Sequence, residues 1–278
     1  GASFVYPIMS KWSADYAKAT GKKVNYQSIG SGGGIAQIKA GTVDFGSSDA
    51  PLKPEELEKF GLAQFPSVIG GVVPVLKVPG VAAGAMKLDG ELLADIFLGK
   101  VSKWNDPRIA ALNGGIKLPD LKITVVHRSD GSGTTFNFVN YLSKVSPAWK
   151  ARFGAVGRPA WPAGFIAVKG SSEVSRAVRS TLGAIGYIDY GYVVEDALTP
   201  VQLAAANGRY VGASPASFRN AVVSSRWFTH GDFSDSLTQM PGEGAWPITM
   251  GTYAVVPKVA GEPERAARTL RFFVWAYD

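Results

Sequence analysis

The sequence contains no cysteine and only two histidines, His127 and His230. The absence of thiols excludes disulfide scaffolds, zinc fingers, thiol enzymes and iron–sulfur clusters together. Two histidines are also too few for a histidine-rich metal site. We therefore expect a protein that binds neither a metal ion nor another cofactor.

Long hydrophobic runs are missing as well. The most apolar stretch, residues 65–86, is interrupted by Pro74, Lys77 and Pro79. It falls short of the roughly 18 uninterrupted apolar residues of a membrane-spanning helix. The chain begins at Gly1 without the charged and apolar regions of a signal peptide. We expect an exported protein whose signal has been removed, and the lack of cysteine is compatible with export.

Dense clusters of one charge are also absent. The chain carries 29 Lys and Arg residues against 22 Asp and Glu residues, which gives a formal net charge of +7. The basic residues are dispersed, and the densest group is the pair Lys22-Lys23. This dispersion predicts a solvated surface rather than a nucleic-acid interface.

Strand-like and helix-like segments alternate along the chain, and 46% of the residues are hydrophobic. This pattern is typical of α/β architecture with largely parallel sheets. Apolar residues at helical spacing predict a first helix that includes Val5 and Tyr16. The expected strands are 23–29, 43–46, 123–127, 184–190 and 248–256. The expected helices are 35–40, 54–60, 88–98, 107–112, 173–180, 216–224 and 264–277, with another directly after the turn at 129–133.

Two segments share one design, in which a strand is followed by a turn of Gly and Ser and then by a helix. The first is residues 29–34 and the second is residues 128–135. A helix start offers unpaired N–H groups and a partial positive charge, which favour an anion. The hydroxyls of Ser31, Ser132 and Thr134 add donors. Such turns are often simple helix caps, but two of them together favour an anion site.

Further groups strengthen this interpretation. Arg128 supplies a planar guanidinium suited to oxyanions, and Ser3-Phe4 precedes the first helix in the same way as the other turns. Asp130 could orient the Arg128 guanidinium, or it could cap the following helix. Both roles remain open for it at this point.

Nucleotide binding and catalysis find little support. No Walker A spacing is present, and Ile35 stands where a dinucleotide fingerprint starting at Gly30 needs its last glycine. Ser132 lacks the spacing of a nucleophile elbow. His127 is the only base near that serine, and no acid is placed to orient it. We expect a binding protein and not an enzyme.

Asp49 follows a predicted strand, at a position where α/β proteins place ligand contacts. A carboxylate near an anion is repelled unless the anion still carries a proton. Hydrogen phosphate can donate that proton, whereas fully ionised sulfate cannot. The alternative is that Asp49 only caps the turn before Pro51.

Several blocks of sequence closely resemble the periplasmic phosphate-binding proteins of high-affinity phosphate ABC transporters. They are residues 24–34, 42–51, 64–72, 130–134, 183–187, 245–249 and 272–277. The resemblance implies a two-lobed α/β fold of the type II periplasmic-binding-protein kind, which closes on phosphate. It implies phosphate contacts from Ser3, Phe4, Ser31, Asp49, Arg128, Ser132, Gly133 and Thr134, with Asp130 in support of the arginine.

The resemblance also implies a division into lobes and a set of partners. Lobe I is expected to comprise residues 1–77 and 248–278, and lobe II residues 78–247. The expected partners are inorganic phosphate and the permease subunits of an inner-membrane ABC transporter, and the protein itself is expected to be a periplasmic monomer. Ser3 stands where this family often has Thr, and His127 stands where it can have a second Arg.

Three alternatives remain open at this point. The first is a receptor for another tetrahedral anion such as sulfate, molybdate or arsenate, of which Asp49 disfavours the fully ionised ones. The second is a phosphatase-type enzyme, which the missing metal ligands disfavour. The third is an exported scaffold or adhesin with a vestigial anion site.

Overall fold

The computed structural model describes residues 1–230, 233–259 and 261–278, which form an α/β fold with helices flanking a central sheet. None of the described helices has the length and apolar character needed to cross a bilayer. The helices of the described residues are α1 (Tyr6–Thr20), α2 (Gly30–Lys39), α3 (Pro54–Lys59), α4 (Gly90–Phe97), α5 (Pro107–Leu112), α6 (Gly133–Val145), α7 (Pro147–Arg152), α8 (Gly170–Ser180), α9 (Tyr190–Glu195), α10 (Pro215–Val223), α11 (Arg226–His230) and α12 (Pro263–Tyr277).

The strands of the same residues form two sheets. The larger sheet has the order β1-β10-β2-β6-β4-β5, with β7 also paired to β2, and the smaller has the order β3-β8-β9. The strands are β1 (Gly46–Ser48), β2 (Leu62–Leu76), β3 (Lys87–Leu88), β4 (Thr124–Arg128), β5 (Ile166–Val168), β6 (Ala184–Asp189), β7 (Thr199–Pro200), β8 (Gln202–Ala204), β9 (Tyr210–Val211) and β10 (Thr249–Pro257).

The α/β class is confirmed, but the expectation of largely parallel sheets is wrong for the longest strands. Strand β2 pairs antiparallel with β10 along its first part and antiparallel with β6 along its second. Parallel pairing in this sheet joins β4 to β5 and to β6. The strands beside β2 come from distant parts of the chain. The alternation of strand-like and helix-like segments along the chain therefore does not determine whether paired strands run parallel or antiparallel.

The predicted strand at residues 23–29 is wrong, because that segment forms no strand. It is held by isolated hydrogen bonds to the start of the chain, including Tyr26 Oη to the Ala2 carbonyl at 2.7 Å and Ile29 N–H to the Gly1 carbonyl at 3.1 Å. Its residues have strand propensity, but a strand also needs a ladder partner. The strand predicted at 43–46 lies slightly later, as β1, and the helix predicted at 35–40 already begins at Gly30.

The two largest apolar clusters of the described residues support the fold. The larger surrounds the second part of β2 and includes the fully buried side chains of Trp104, Trp149 and Trp246. A smaller cluster joins α1 to α12 through residues such as Met9 and Phe272. In the last helix, Phe272 and Phe273 belong to this core, whereas Leu270 and Tyr277 are exposed.

Candidate anion-binding site

The ends of two strands and the beginnings of three helices meet in one region. Strand β1 ends directly before Asp49 and β4 ends at Arg128, while α2, α6 and α8 begin at Gly30, Gly133 and Gly170. A Cβ atom on Gly30 would lie 3.5 Å from Arg128 Nη2, and one on Gly133 would lie 2.6 Å from Asp49 Cβ. The partial positive charges of these helix starts therefore add in the region between them.

Arg128 and Asp130 form a buried ion pair at this point. Arg128 is 2% exposed, and its Nε donates to Asp130 Oδ1 at 2.6 Å while Nη2 donates to Oδ2. Burial opposes the charged forms of both groups, but their hydrogen bonds outweigh it. The pKa of Arg128 is raised and the pKa of Asp130 is lowered. The orienting role considered for Asp130 is the one that this geometry provides, and Asp130 does not cap helix α6, whose cap is Ser132.

The third nitrogen of the Arg128 guanidinium, Nη1, contacts a side chain outside the predicted set. Arg128 Nη1 donates to Ser171 Oγ at 3.4 Å, and Ser171 is the second residue of α8. Ser171 belongs to a Gly-Ser-Ser turn, residues 170–172, that opens α8, and only Lys169 separates this turn from β5. This turn has the same strand–turn–helix design as the two that were singled out from the sequence. The strand–turn–helix pattern could therefore have indicated Ser171.

Asp49 is buried among neutral donors. It is 2% exposed; its Oδ1 accepts from Thr252 Oγ1 at 2.8 Å and its Oδ2 accepts from Ser31 Oγ at 3.3 Å. Its carbonyl accepts from Asn137 Nδ2 at 2.6 Å. Burial raises the pKa of Asp49 to about 6, against the hydrogen bond from Thr252 and the more distant charge of Arg128. The carboxyl group can therefore hold or give up a proton near neutral pH.

Asn137 and Thr252 were missed by the sequence analysis, and no pattern marks them. Asn137 lies one helical turn after Gly133, whose carbonyl it also contacts at 2.9 Å, and Thr252 lies within β10. Both are buried. They contact Asp49 only because the tertiary fold places α6 and β10 beside it.

The two turns singled out from the sequence touch each other directly. Gly32 N–H donates to the Gly131 carbonyl at 3.1 Å. A Cβ atom on Gly133 would lie 2.7 Å from Ser31 Oγ, closer than such atoms approach in proteins. The absence of a side chain at Gly133 therefore allows the start of α6 to sit against Ser31 and Asp49.

Ser132 and Thr134 occupy the start of helix α6. Ser132 Oγ accepts from Thr135 N–H at 3.1 Å and so caps the helix. Thr134 is 1% exposed, and its Oγ1 has no hydrogen-bond partner among the described residues. A buried hydroxyl without a partner is costly, so this atom is well suited to a ligand oxygen.

Ser3 and Phe4 complete the predicted set. Ser3 is 2% exposed, and its Oγ lies 3.0 Å from Ser171 Oγ. The Phe4 ring packs so closely on Gly70 that a Cβ there would lie 2.8 Å from its Cζ atom. The side chain of Phe4 is thus part of the core, and its backbone is the part left for a ligand.

The structure brings all the predicted site residues into one buried polar cluster. They are linked through direct contacts and chain neighbours: Ser3, Phe4, Ser31, Asp49, Arg128, Asp130, Ser132, Gly133 and Thr134. Within the described residues, no group of three or more His, Asp or Glu side chains is arranged to hold a metal ion. The chemistry that this cluster offers is hydrogen bonding and charge directed at an anion.

Comparisons with known proteins show the family to which the chain belongs. The family described as PBP superfamily domain matches residues 1–273. The phosphate-binding protein PstS of Xylella fastidiosa (strain Temecula1) is 52% identical over 278 residues, which cover 100% of this chain and 76% of that protein. The PstS of Haemophilus influenzae is 48% identical over 278 residues, covering 100% of this chain and 83% of that protein.

The fold is also found in a solved structure from Clostridium perfringens, described as a putative phosphate ABC transporter substrate-binding protein with bound phosphate. It superimposes with a TM-score of 0.69 at 20% identity, covering 99% of this chain and 90% of that one. The structural likeness shows the periplasmic-binding-protein fold, and the sequence likeness confirms the resemblance noted above. The chain belongs to the PBP superfamily and, within it, to the PstS family of phosphate-binding proteins.

Proposed function

We propose that this protein binds inorganic phosphate, as hydrogen phosphate, in the buried polar cluster and delivers it to the permease of an ABC transporter for import. The observation that carries the proposal is Asp49, a buried carboxyl group set among hydrogen-bond donors at the junction of the two glycine-bearing turns. The names of the PstS relatives support the same ligand.

The proposed contacts replace the water around the anion with fixed donors. Arg128 supplies charge, the starts of α2 and α6 supply N–H groups, and Thr134 supplies a buried hydroxyl. Charge-assisted hydrogen bonds are strong in a site that excludes water. The proposed binding set is Ser3, Phe4, Ser31, Asp49, Arg128, Ser132, Gly133 and Thr134. The proposed activity is binding without catalysis.

Asp49 supplies the proposed selectivity. Hydrogen phosphate keeps its proton and donates it to the Asp49 carboxylate, which is ionised above its pKa of about 6. Fully ionised sulfate brings no proton, so its oxygen would face an ionised carboxylate above that pH. A polar site rejects a ligand that lacks the matching hydrogen, by roughly 10⁴–10⁵ in the best cases. Arsenate carries the same proton and is expected to compete.

The lobe boundaries expected from the sequence become part of this proposal. Lobe I is residues 1–77 and 248–278 and lobe II is residues 78–247. This division puts Ser31 and Asp49 in one lobe and Arg128 in the other, and phosphate would be enclosed by a hinge motion. We place the working protein in the periplasm as a monomer that docks on the permease.

The test is calorimetric titration of dialysed protein with phosphate and then sulfate. We expect phosphate to bind and sulfate to give no heat. In Asp49→Asn, phosphate binding should weaken modestly and sulfate should begin to bind, because the amide can donate to an ionised oxygen. The exposed pair partner Asp15 provides the control Asp15→Asn, which should behave as wild type. Unchanged sulfate rejection in Asp49→Asn would remove Asp49 from the selectivity role, and no phosphate heat in the wild type would overturn the proposed function.

A further inference from the structure

The Gly-Ser-Ser turn that opens α8 lies against the proposed binding set without belonging to it. Gly170 N–H donates to Asp130 Oδ1 at 3.2 Å, which ties the turn to the buried ion pair. The next residue, Ser171, is 1% exposed. A third helix start therefore brings a buried hydroxyl group, Ser171 Oγ, to the site.

Ser171 Oγ is held from the Arg128 side. Arg128 Nη1 donates to it at 3.4 Å, while Nε and Nη2 of the same guanidinium donate to Asp130. A guanidinium can only donate hydrogen bonds, so the serine oxygen is the acceptor in this contact. Nη1 carries two hydrogens, and one of them remains for an anion when Ser171 accepts the other. Arg128 can therefore bind Ser171 and phosphate together.

The same serine oxygen also contacts the other proposed lobe. Ser171 Oγ lies 3.0 Å from Ser3 Oγ, and either hydroxyl can be the donor. Ser3 belongs to the proposed lobe I, whereas Ser171 and Arg128 belong to the proposed lobe II. Both serines are almost fully buried, so water competes little for this hydrogen bond. Ser171 thus joins two proposed phosphate contacts that lie on opposite sides of the cleft.

This contact differs from the hydrogen bond that joins the two glycine-bearing turns. Gly32 N–H donates to the Gly131 carbonyl at 3.1 Å, so that bond between the proposed lobes is made by main-chain atoms. The bond between Ser3 and Ser171 is made by two side chains. It can therefore be removed by substitution while the main-chain contact stays in place.

We propose that Ser171 is a positioning residue for the phosphate site: its hydroxyl bridges Ser3 of lobe I and Arg128 of lobe II, and so holds these two contacts around the enclosed anion. The inference rests on the proposed function, because it needs phosphate enclosed between the lobes. Phosphate leaves when the lobes separate, and their separation breaks the bridge. Loss of the bridge therefore acts on the rate of phosphate release, whereas association takes place from the open form.

The test uses phosphate-free protein with inorganic phosphate in four variants: Ser171→Ala, Ser3→Ala, the double variant Ser171→Ala/Ser3→Ala, and Ser172→Ala. Calorimetry measures affinity, and release of radiolabelled phosphate into excess unlabelled phosphate measures the dissociation rate. We expect Ser171→Ala to bind about threefold to tenfold more weakly, the scale of one hydrogen bond between neutral groups, through faster release. The exposed neighbour Ser172 is the matched control, and Ser172→Ala should stay within about twofold of wild type.

The double variant separates positioning from general destabilisation. If Ser171 acts through Ser3, then Ser171→Ala adds less than about twofold to the loss already caused by Ser3→Ala. Ser171 does not cap α8, whose N-cap residue is Lys169, and alanine is a good helix former, so the variant should fold. Fully additive losses, or an unchanged release rate in Ser171→Ala, would overturn the inference. Wild-type protein that binds no phosphate would instead sink the proposed function, so the two failures are distinguishable.

Discussion

The Arg128 side and the Asp49 side of the site each hold a carboxyl group, and the two behave in opposite ways. Asp130, on the Arg128 side, accepts two hydrogen bonds from a guanidinium, and its pKa is lowered. Asp49 accepts from two hydroxyls, and its pKa is raised to about 6, mainly by burial. The same side chain is therefore a permanent anion on one side and an adjustable proton acceptor on the other.

The difference shows that burial and the bonded partner together decide what a carboxyl group does in such a site. Asp130 fixes the arginine and balances its charge, which leaves the guanidinium as a rigid donor. Asp49 has no bonded cation among the described residues, so its proton affinity responds to the ligand. Such a site combines a fixed positive group, Arg128, with a carboxyl group, Asp49, that distinguishes anions that carry a proton from anions that do not.

Replacing Arg128 should have the largest effect on the contrast between the two sides of the site. In Arg128→Ala, the phosphate loses a charged donor and Asp130 loses its partner in a buried place. We expect phosphate affinity to fall by at least about 1.5–3 kcal/mol, with a lower melting temperature because an unpaired buried charge remains. Calorimetry and thermal unfolding measure both effects. The control is Arg176→Ala, whose side chain is exposed and pairs with Glu173 on the surface. Wild-type affinity in Arg128→Ala would count against the site.

Separating the two sides by steric means should have the next largest effect. In Gly133→Ala, the new methyl group would lie 2.6 Å from Asp49 Cβ, so the start of α6 must move away. Overpacking of this kind costs about 1–3 kcal/mol, and we expect at least about tenfold weaker phosphate binding. Gly131→Ala is the matched control, because its nearest neighbour, Gly32 Cα, would be 3.5 Å away. Equal effects in both variants would show that the close contact at Gly133 does not matter.

The Arg128 side was more predictable from the sequence than the Asp49 side. The turn at 128–135 has its arginine, its acid and its cap within a few residues, and local rules describe such a segment well. The ion pair between Arg128 and Asp130 is a contact between residues two apart. Sequence reasoning could therefore place its members, although it left the role of Asp130 open.

The surroundings of Asp49 depend on long-range strand pairing, and most of them could not be predicted from the sequence. Thr252 is 203 residues away along the chain, and it reaches Asp49 only because β10 pairs antiparallel with β1 and β2. Parallel strands were expected in this sheet, so Thr252 could not be placed beside Asp49 from the sequence.

The last expected effect concerns stability and distinguishes the two carboxyl groups by pH. The pKa of Asp49 is about 6 in the folded chain and about 3.9 in an unfolded one. A raised pKa means that the folded state holds the proton more tightly, so stability is full below the unfolded pKa and is lost as pH rises through 6. We expect phosphate-free Asp49→Asn to be more stable than wild type at pH 7.5 by on the order of 1–3 kcal/mol. Denaturant unfolding should show this difference shrinking towards about pH 4.

Asp130 has a lowered pKa, so its contribution to stability changes with pH in the opposite direction, and its ion pair with Arg128 is lost as pH falls. A stability difference between wild type and Asp49→Asn that stays constant from pH 4 to 7.5 would mean that Asp49 keeps an ordinary pKa, and the contrast between the two sides would then be lost.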